Sequence, residues 1–210
     1  MIELYAITDH PGPPLPDVAP LKLVPVDGLA AVCTPAAETD LSAEAFWRHE
    51  EVVEALMADR DLLPVRYGTK LEDEGAVARV VGERREELAA ALERVRGSVE
   101  LSVRVVTTDT RHAGLPAAEA TGGAEYLRLK GQSEESRARA ARALHEPLSE
   151  LARASVEGRP RQQELFRGAY LVDRDGVEAF VAAVARLQKA NAGVSILCTG
   201  PWPPYSFVEQ

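Results

Sequence analysis

Apolar and polar positions alternate or recur along this chain in blocks of changing period. Ile2–Thr8 alternates and is rich in strand formers, which predicts an N-terminal strand. Leu21–Val26 and Leu29–Thr34 are apolar runs on either side of Asp27-Gly28. That pairing predicts a hairpin, because glycine accepts the positive φ of a tight turn. Between the first two strands lies the proline-dense stretch His10–Pro20, read as a surface loop. After Asp40 the period becomes helical. Ser42 is the expected N-cap, Phe46, Val53, Leu56 and Met57 share one face, and the helix is predicted to stop near Asp59. Leu62–Tyr67 is a short extended run containing Pro64. A single helix is predicted over Glu72–Arg96, with Val77, Val80, Val81, Leu88, Leu92 and Val95 as its stripe and Gly97 as its stop.

Glu100–Thr107 alternates cleanly, and residues 108–123 read as a loop. Ala124–Val156 is helical in pattern, with Leu144, Leu148, Leu151 and Ala152 as its later stripe. Pro147 inside it predicts a kink or break around His145–Glu146. Leu165–Val172 is a predicted strand. Val177, Phe180, Val181, Val184 and Leu187 mark a compact helix, Gly193–Thr199 a last strand, and Gly200–Gln210 an extended tail. Interspersed strands and helices with an antiparallel hairpin define an α+β protein. A soft boundary at Gly97-Ser98 divides it into domains of residues 1–98 and 99–210.

Composition narrows the function classes. The chain has 210 residues, 46% hydrophobic and 27% charged, as expected of a globular protein able to bury a core. Its net charge is −9, which disfavours a phosphate-backbone partner. Residues 1–100 carry 10 basic and 20 acidic side chains, and residues 101–210 carry 14 and 13, so the acidity lies in the first half. Cys33 and Cys198 are isolated, which points to a reduced, cytoplasmic setting. No leader pattern opens the sequence, and the uncharged run Ala190–Val208 is broken by three prolines, so no membrane insertion is expected.

Catalytic signatures are weak. His49-Glu50 resembles half of a zinc-protease helix, but Val53 stands where the second histidine belongs, and a solvated or capping histidine is the simpler reading. Glu50 and Glu54 read as a solvated acidic face. Gly68-Thr69-Lys70 echoes the end of a phosphate loop, whose first glycine would fall at Leu63. Arg137, Arg139, Arg142, Arg153, Arg159, Arg161 and Arg167 are interleaved with glutamates, as on a salt-bridged helix face rather than a nucleic-acid groove. No catalytic residue, metal or cofactor is expected.

Two segments stand out. Leu62–Thr69 places Arg66, Tyr67 and Gly68 at the end of an apolar strand. Gly200–Phe207 concentrates Trp202, Tyr205 and Phe207 among Pro201, Pro203 and Pro204, in a chain only 5% aromatic. The tail is either an intramolecular strap or a binding surface held by proline. Arg66, Tyr67, Gly68, Trp202, Pro203, Tyr205 and Phe207 are the candidate partner-binding or interdomain residues, with Arg66 expected to pair with a carboxylate or an aromatic ring.

These two segments also carry a family resemblance. Pro64-Val65-Arg66-Tyr67-Gly68-Thr69 and Gly200-Pro201-Trp202-Pro203-Pro204-Tyr205-Ser206-Phe207 resemble motifs of the gas vesicle protein L/F family (GvpL/GvpF). Supporting matches are Tyr5-Ala6-Ile7, Asp27-Gly28-Leu29, His49-Glu50, Glu100–Val105 and Ala169–Val172. Tyr67 departs from the family's more frequent phenylalanine but keeps the ring. The resemblance implies an N-terminal α+β domain and a modified ferredoxin-like C-terminal domain. It also implies a non-enzymatic minor structural or assembly protein on the gas-facing side of the vesicle, with the shell protein and other accessory proteins as partners. A small-molecule-binding or enzymatic protein on a ferredoxin-like scaffold is the alternative, which a polar pocket containing His49, Glu50 or Arg66 would favour.

Overall fold

A computed structural model describes residues 1–36, 42–108, 123–161 and 163–208; side chains of 123–133 are not described. The expected loop at 108–123 lies almost wholly outside them. The protein is α+β and divides into two compact units: residues 1–99 with 202–210, and residues 100–201. The tail from Trp202, which the sequence boundary assigned to the second domain, clusters instead with the first unit.

In the first unit, β1 (Ile2–Asp9) is the central strand. One edge pairs antiparallel with β3 (Leu29–Pro35), which in turn pairs with β2 (Lys22–Val26) through the predicted hairpin. Asp27 and Gly28 both take positive φ there, as a two-residue turn requires. The other edge of β1 pairs with two very short strands, β4 (Leu62–Pro64) and β5 (Lys70–Leu71). The β1–β3 register slips between Leu4 and Ala6, so Tyr5 is the extra residue of a bulge.

Three helices cover this sheet. α1 (Ala43–Met57) begins at Ser42, whose Oγ accepts the Ala45 amide at 3.1 Å, and contacts β1 and β4. Its buried face is His49, Val52, Val53, Leu56 and Met57. Phe46 is exposed, and the helix turns His49 inward instead, so this histidine is buried rather than solvated.

The single helix expected over Glu72–Arg96 is two, α2 (Glu74–Glu83) and α3 (Arg85–Val95). Arg84 leaves the helical region at φ −106°, ψ 14°. The break has a packing cause: α2 lies on β2 and β3 through Val77 and Val81, while α3 lies on β4 through Ala91, Leu92 and Val95. One straight rod does not serve both places, and Val80 is left outside.

Polar ties close the unit. The Arg96 guanidinium donates to Asp9 at 2.8 Å and to Glu93 at 2.7 Å, and the Gly97 amide donates to Asp61 at 2.9 Å. Arg60, almost fully buried, donates to the carbonyls of Pro13 and Pro14 and so pins the proline-rich loop.

The second unit runs β6 (Ser98–Thr107), α4 (Gly123–Ser149), β7 (Ala154–Glu157), β8 (Glu164–Asp173), α5 (Val177–Ala190) and β9 (Val194–Trp202). Its sheet order is β7-β8-β6-β9. This βαββαβ succession is ferredoxin-like. The segment expected to stay helical to Val156 ends at Ser149 and turns into the exposed edge strand β7, where Val156 takes part in the pairing with β8. Pro147 does not break α4 at His145–Glu146. It sits in the last turn, where its missing amide costs one terminal bond rather than an interior one. Leu151 and Val181, expected in apolar stripes, are exposed. Tyr170 and Phe180 are fully buried with rings 5.1 Å apart, and the Tyr170 hydroxyl meets His145 Nδ1 at 2.8 Å.

Among the described residues, no ion pair joins the arginines and glutamates of α4 in the lattice expected. Arg137 donates to the Glu164 carbonyl, Arg153 pairs with Asp173, and Arg167 makes a bidentate bond to the Glu164 carboxylate at 2.8 and 2.9 Å. The Arg167 bonds, then the Arg161 amide, hold the Glu164 carboxyl below its usual range. A depressed carboxylate stabilises the fold above its unfolded pKa of about 4.3 and loses that contribution as pH falls through its folded value. Glu164→Gln is therefore expected to melt below the wild type at pH 7, with the gap narrowing below about pH 4, read by thermal denaturation across pH.

Candidate functional site

The turn after β4 is built by its own backbone. Thr69 donates to the Arg66 carbonyl through its amide at 3.2 Å and its hydroxyl at 2.8 Å. Gly68 takes φ +83°, the glycine position of a type II turn, with open space where a Cβ would stand. The requirement for glycine is thus conformational, not steric. Val65 N donates to the Tyr5 carbonyl and Leu4 N to the Thr69 carbonyl, so the turn is anchored to β1 at both ends.

This anchoring brings Tyr67 against α1. Its ring lies edge-on to His49 at 5.5 Å and to Phe46 at 5.8 Å. His49 is stacked on Tyr5 at 4.8 Å, and Phe46 meets Trp47 at 5.4 Å. The result is a run of rings from buried Tyr5 and His49 out to Trp47, which is 68% exposed. Arg66 is exposed and makes no ion pair among the described residues, so of the two partners expected for it, a carboxylate or a ring, the carboxylate is not found there.

The tail meets the same helix one position further on. Pro203 and Pro204 are buried, Tyr205 and Phe207 are half-buried, and Trp202 remains exposed. The Tyr205 hydroxyl donates to Glu50 Oε1 at 3.0 Å. Burial first, then the Glu50 charge and the hydrogen bond it accepts, push the Tyr205 phenol well above its ordinary range. Glu50, read from sequence as part of a solvated face, is the acceptor that fixes the tail. The two motif segments therefore both meet α1, Tyr67 at Phe46 and His49, and Tyr205 at Glu50.

His49 Nε2 lies 2.9 Å from the Val65 carbonyl, which only accepts, so Nε2 carries a proton and donates it. Nδ1 makes no hydrogen bond and lies 3.5 Å from Glu3 Oε1. Beside this pair opens a cavity of 420 Å³, lined by Glu3, Tyr5, Arg48, His49, Glu51 and Tyr67 among others. Among the described residues no group of three or more His, Cys, Asp or Glu is placed to hold a metal, and no helix is long and apolar enough to cross a membrane. Sequence reasoning missed Tyr5, Phe46 and Trp47 as members of this cluster. The adjacent aromatics of Phe46-Trp47 in the first turns of α1 were the available signal.

An α+β chain with a hairpin-led first unit, a βαββαβ second unit and a C-terminal segment returning to the first is a known architecture. Crystal structures of GvpF from Anabaena sp. PCC7120 and Microcystis aeruginosa share it. Their TM-scores are 0.82 and 0.81 and their identities 19% and 18%; each match covers 100% of this chain and 96% or 99% of the other. The chain belongs to the family described as gas vesicle synthesis protein GvpL/GvpF, which matches residues 3–209. Relatives include gas vesicle protein L of Streptomyces sp. (strain CB03234), 34% identical over 81% of this chain and 71% of its own length. Gas vesicle protein F of the same strain is 29% identical over 98% of both chains.

The tail's attachment is testable. Tyr205→Phe removes one hydrogen bond to a carboxylate and is expected to cost about 1 kcal/mol in urea denaturation at pH 7. Because the folded phenol is raised, its contribution is present below about pH 10 and lost above it, so the difference between variant and wild type shrinks there. Deleting residues 201–210 is expected to lower Tm further; an unchanged Tm with lost partner binding would make the tail a docking peptide instead.

Proposed function

We propose that this protein is a non-enzymatic assembly factor or minor structural component of gas vesicles that binds the shell protein. The observation that carries the reading is family membership across nearly the whole chain, from residue 3 to 209. A gas-filled shell needs a wall with a strongly apolar inner face, and subunits exposing that face before assembly associate through the hydrophobic effect. A partner with a charged exterior and a few aromatic anchors covers such a face and releases it at the growing rim. The gas-facing placement implied by the resemblance belongs to the same reading.

The surface of the first unit suits this role. Trp47 and Phe46 stand 68% and 40% exposed, in edge contact with each other and, through Phe46, with Tyr67. Exposed aromatics held rigidly by neighbours make interface anchors at low entropic cost. Arg66 and Trp202 present exposed side chains and are further contact candidates. Tyr67 and Gly68 shape the turn, while Pro203, Tyr205 and Phe207 serve as the strap that fixes the tail.

The test is co-expression with the shell protein. Shell subunits are expected to stay soluble and assemble better with this protein than without it, and equal solubility and assembly would sink the proposal. The Phe46→Ala/Trp47→Ala double variant is expected to keep its Tm within a few degrees while shell capture in a pull-down falls at least about tenfold.

A further inference from the structure

The sheet of the second unit ends at β9, and one side of that strand is unpaired among the described residues. The Thr108 amide donates to the Gly193 carbonyl. By the alternation of an antiparallel ladder, residues 193, 195, 197 and 199 then bond towards β6, and residues 194, 196, 198 and 200 turn their backbone groups outward. The start of this outer edge is occupied by a side chain. The Gln188 carboxamide, from α5, donates to the Val194 carbonyl at 2.8 Å and accepts the Ile196 amide at 2.7 Å, as a neighbouring strand would. The Val194 amide donates to the Asn191 carbonyl at 3.2 Å. Among the described residues, the Ile196 carbonyl, both Cys198 groups and the Gly200 amide are left as outward groups with no partner. Pro201 has no amide to extend the edge further. Edge strands are ordinarily blunted by charged side chains. The stretch Ala190–Val208 has none, so nothing along it repels a second strand.

α5 flanks this edge, since Gln188 reaches it. Steps of three and four residues back from Gln188 lead to Ala185, Val181 and Glu178, which share one stripe of the helix. All three are exposed, Val181 at 46%. Lys189, four residues after Ala185, is exposed at the other end of the same stripe. On the opposite face of the strand Leu197 is 53% exposed.

The order of charges along the stripe selects the occupant. It begins with an acid, Glu178, and ends with a base, Lys189, with Val181 and Ala185 between them. A second copy related by a two-fold axis runs its α5 antiparallel to the first. Each Glu178 then stands opposite the other copy's Lys189, and each Val181 opposite the other's Ala185. The midpoint of that pairing lies near residue 183, about 7 Å along the helix from Gln188. The same distance is about two residues of strand, which carries the axis from the Gln188 bonds to Leu197 and Cys198. Antiparallel pairing of β9 with itself about that point exchanges bonds between the two Cys198 residues. It also sets each Ile196 carbonyl against the other copy's Gly200 amide and the two Leu197 side chains at diagonal positions. One axis serves the helix stripe and the strand edge together.

We propose that β9 and α5 form a two-fold interface between two copies of this chain, joining two four-stranded sheets into one of eight strands. The test is sedimentation equilibrium of the full chain over a concentration series. A two-chain species with a Kd in the micromolar range is expected. Glu178→Lys and Lys189→Glu, both at exposed positions, are each expected to raise that Kd at least about fivefold, and the double exchange to restore it to within about twofold. Hydrogen exchange at the Cys198 amide is expected to slow as concentration rises. A monomer at every concentration overturns the interface, as does a dimer that neither exchange weakens or that the double exchange fails to restore. Cys198 protection that appears only on adding shell protein assigns the edge to a shell strand and overturns self-pairing. None of these results bears on shell capture through Phe46 and Trp47, which the pull-down measures separately.

Discussion

β1 is the constraint on which the first unit depends. Six of its eight residues are buried, so its backbone amides and carbonyls must be paired within the protein. One edge is served by the full-length β3. The other is served in two pieces, β4 and β5, of three and two residues. The chain between those pieces leaves the sheet and returns to it, and that excursion is the Arg66–Thr69 turn. Tyr67 is held over α1 because both ends of the turn are hydrogen-bonded to the same strand. The aromatic cluster, the cavity and the Gly68 backbone geometry all follow from this interrupted pairing.

α1 converts that arrangement into a surface. A helix presents neighbours at spacings of three and four residues, so Phe46, His49, Glu50 and Val53 fall around one side of it. Val53 goes to the core, His49 to the rings of Tyr5 and Tyr67, Glu50 to the tail and Phe46 outward. Four successive needs are met within about two helical turns. The tail is fixed through Tyr205 and two buried prolines, whose restricted backbone has little freedom to lose on docking. The second unit reaches its stability differently, through a Tyr170–Phe180 core and a Glu164 carboxylate satisfied by Arg161 and Arg167.

Much of this was legible in the residues, because periodicity and turn chemistry are local. Asp27-Gly28 placed the hairpin, Ser42 the start of α1, and the later alternations β6 and β8 to within two residues at either end. The paired motifs around Arg66 and Trp202 were enough to identify the family. Less legible was anything set by what an element packs against. A helical stripe through Val77–Val95 looks continuous until the sheet beneath it demands two directions. The pattern Ala154–Glu157 looks like the end of a helix until β8 offers an edge to pair with. The bulge at Tyr5 is set by how β1 pairs with β3, so the alternation of Ile2–Thr8 gives no sign of it.

His49 shows the division most sharply. The sequence by itself determined that a histidine would ride an amphipathic helix next to a glutamate, with no second histidine at metal spacing. Whether it faced water or the core depended on a rotation of α1 that local pattern leaves open, since Phe46 and His49 lie a turn apart on adjacent faces. Tertiary structure decided it: Tyr5 supplied a ring to stack on, Val65 a carbonyl to accept the Nε2 proton, and the Arg66–Thr69 turn a second ring. A buried polar group goes where its hydrogen bond can be made, and that partner came from the residue just after β4, sixteen positions away.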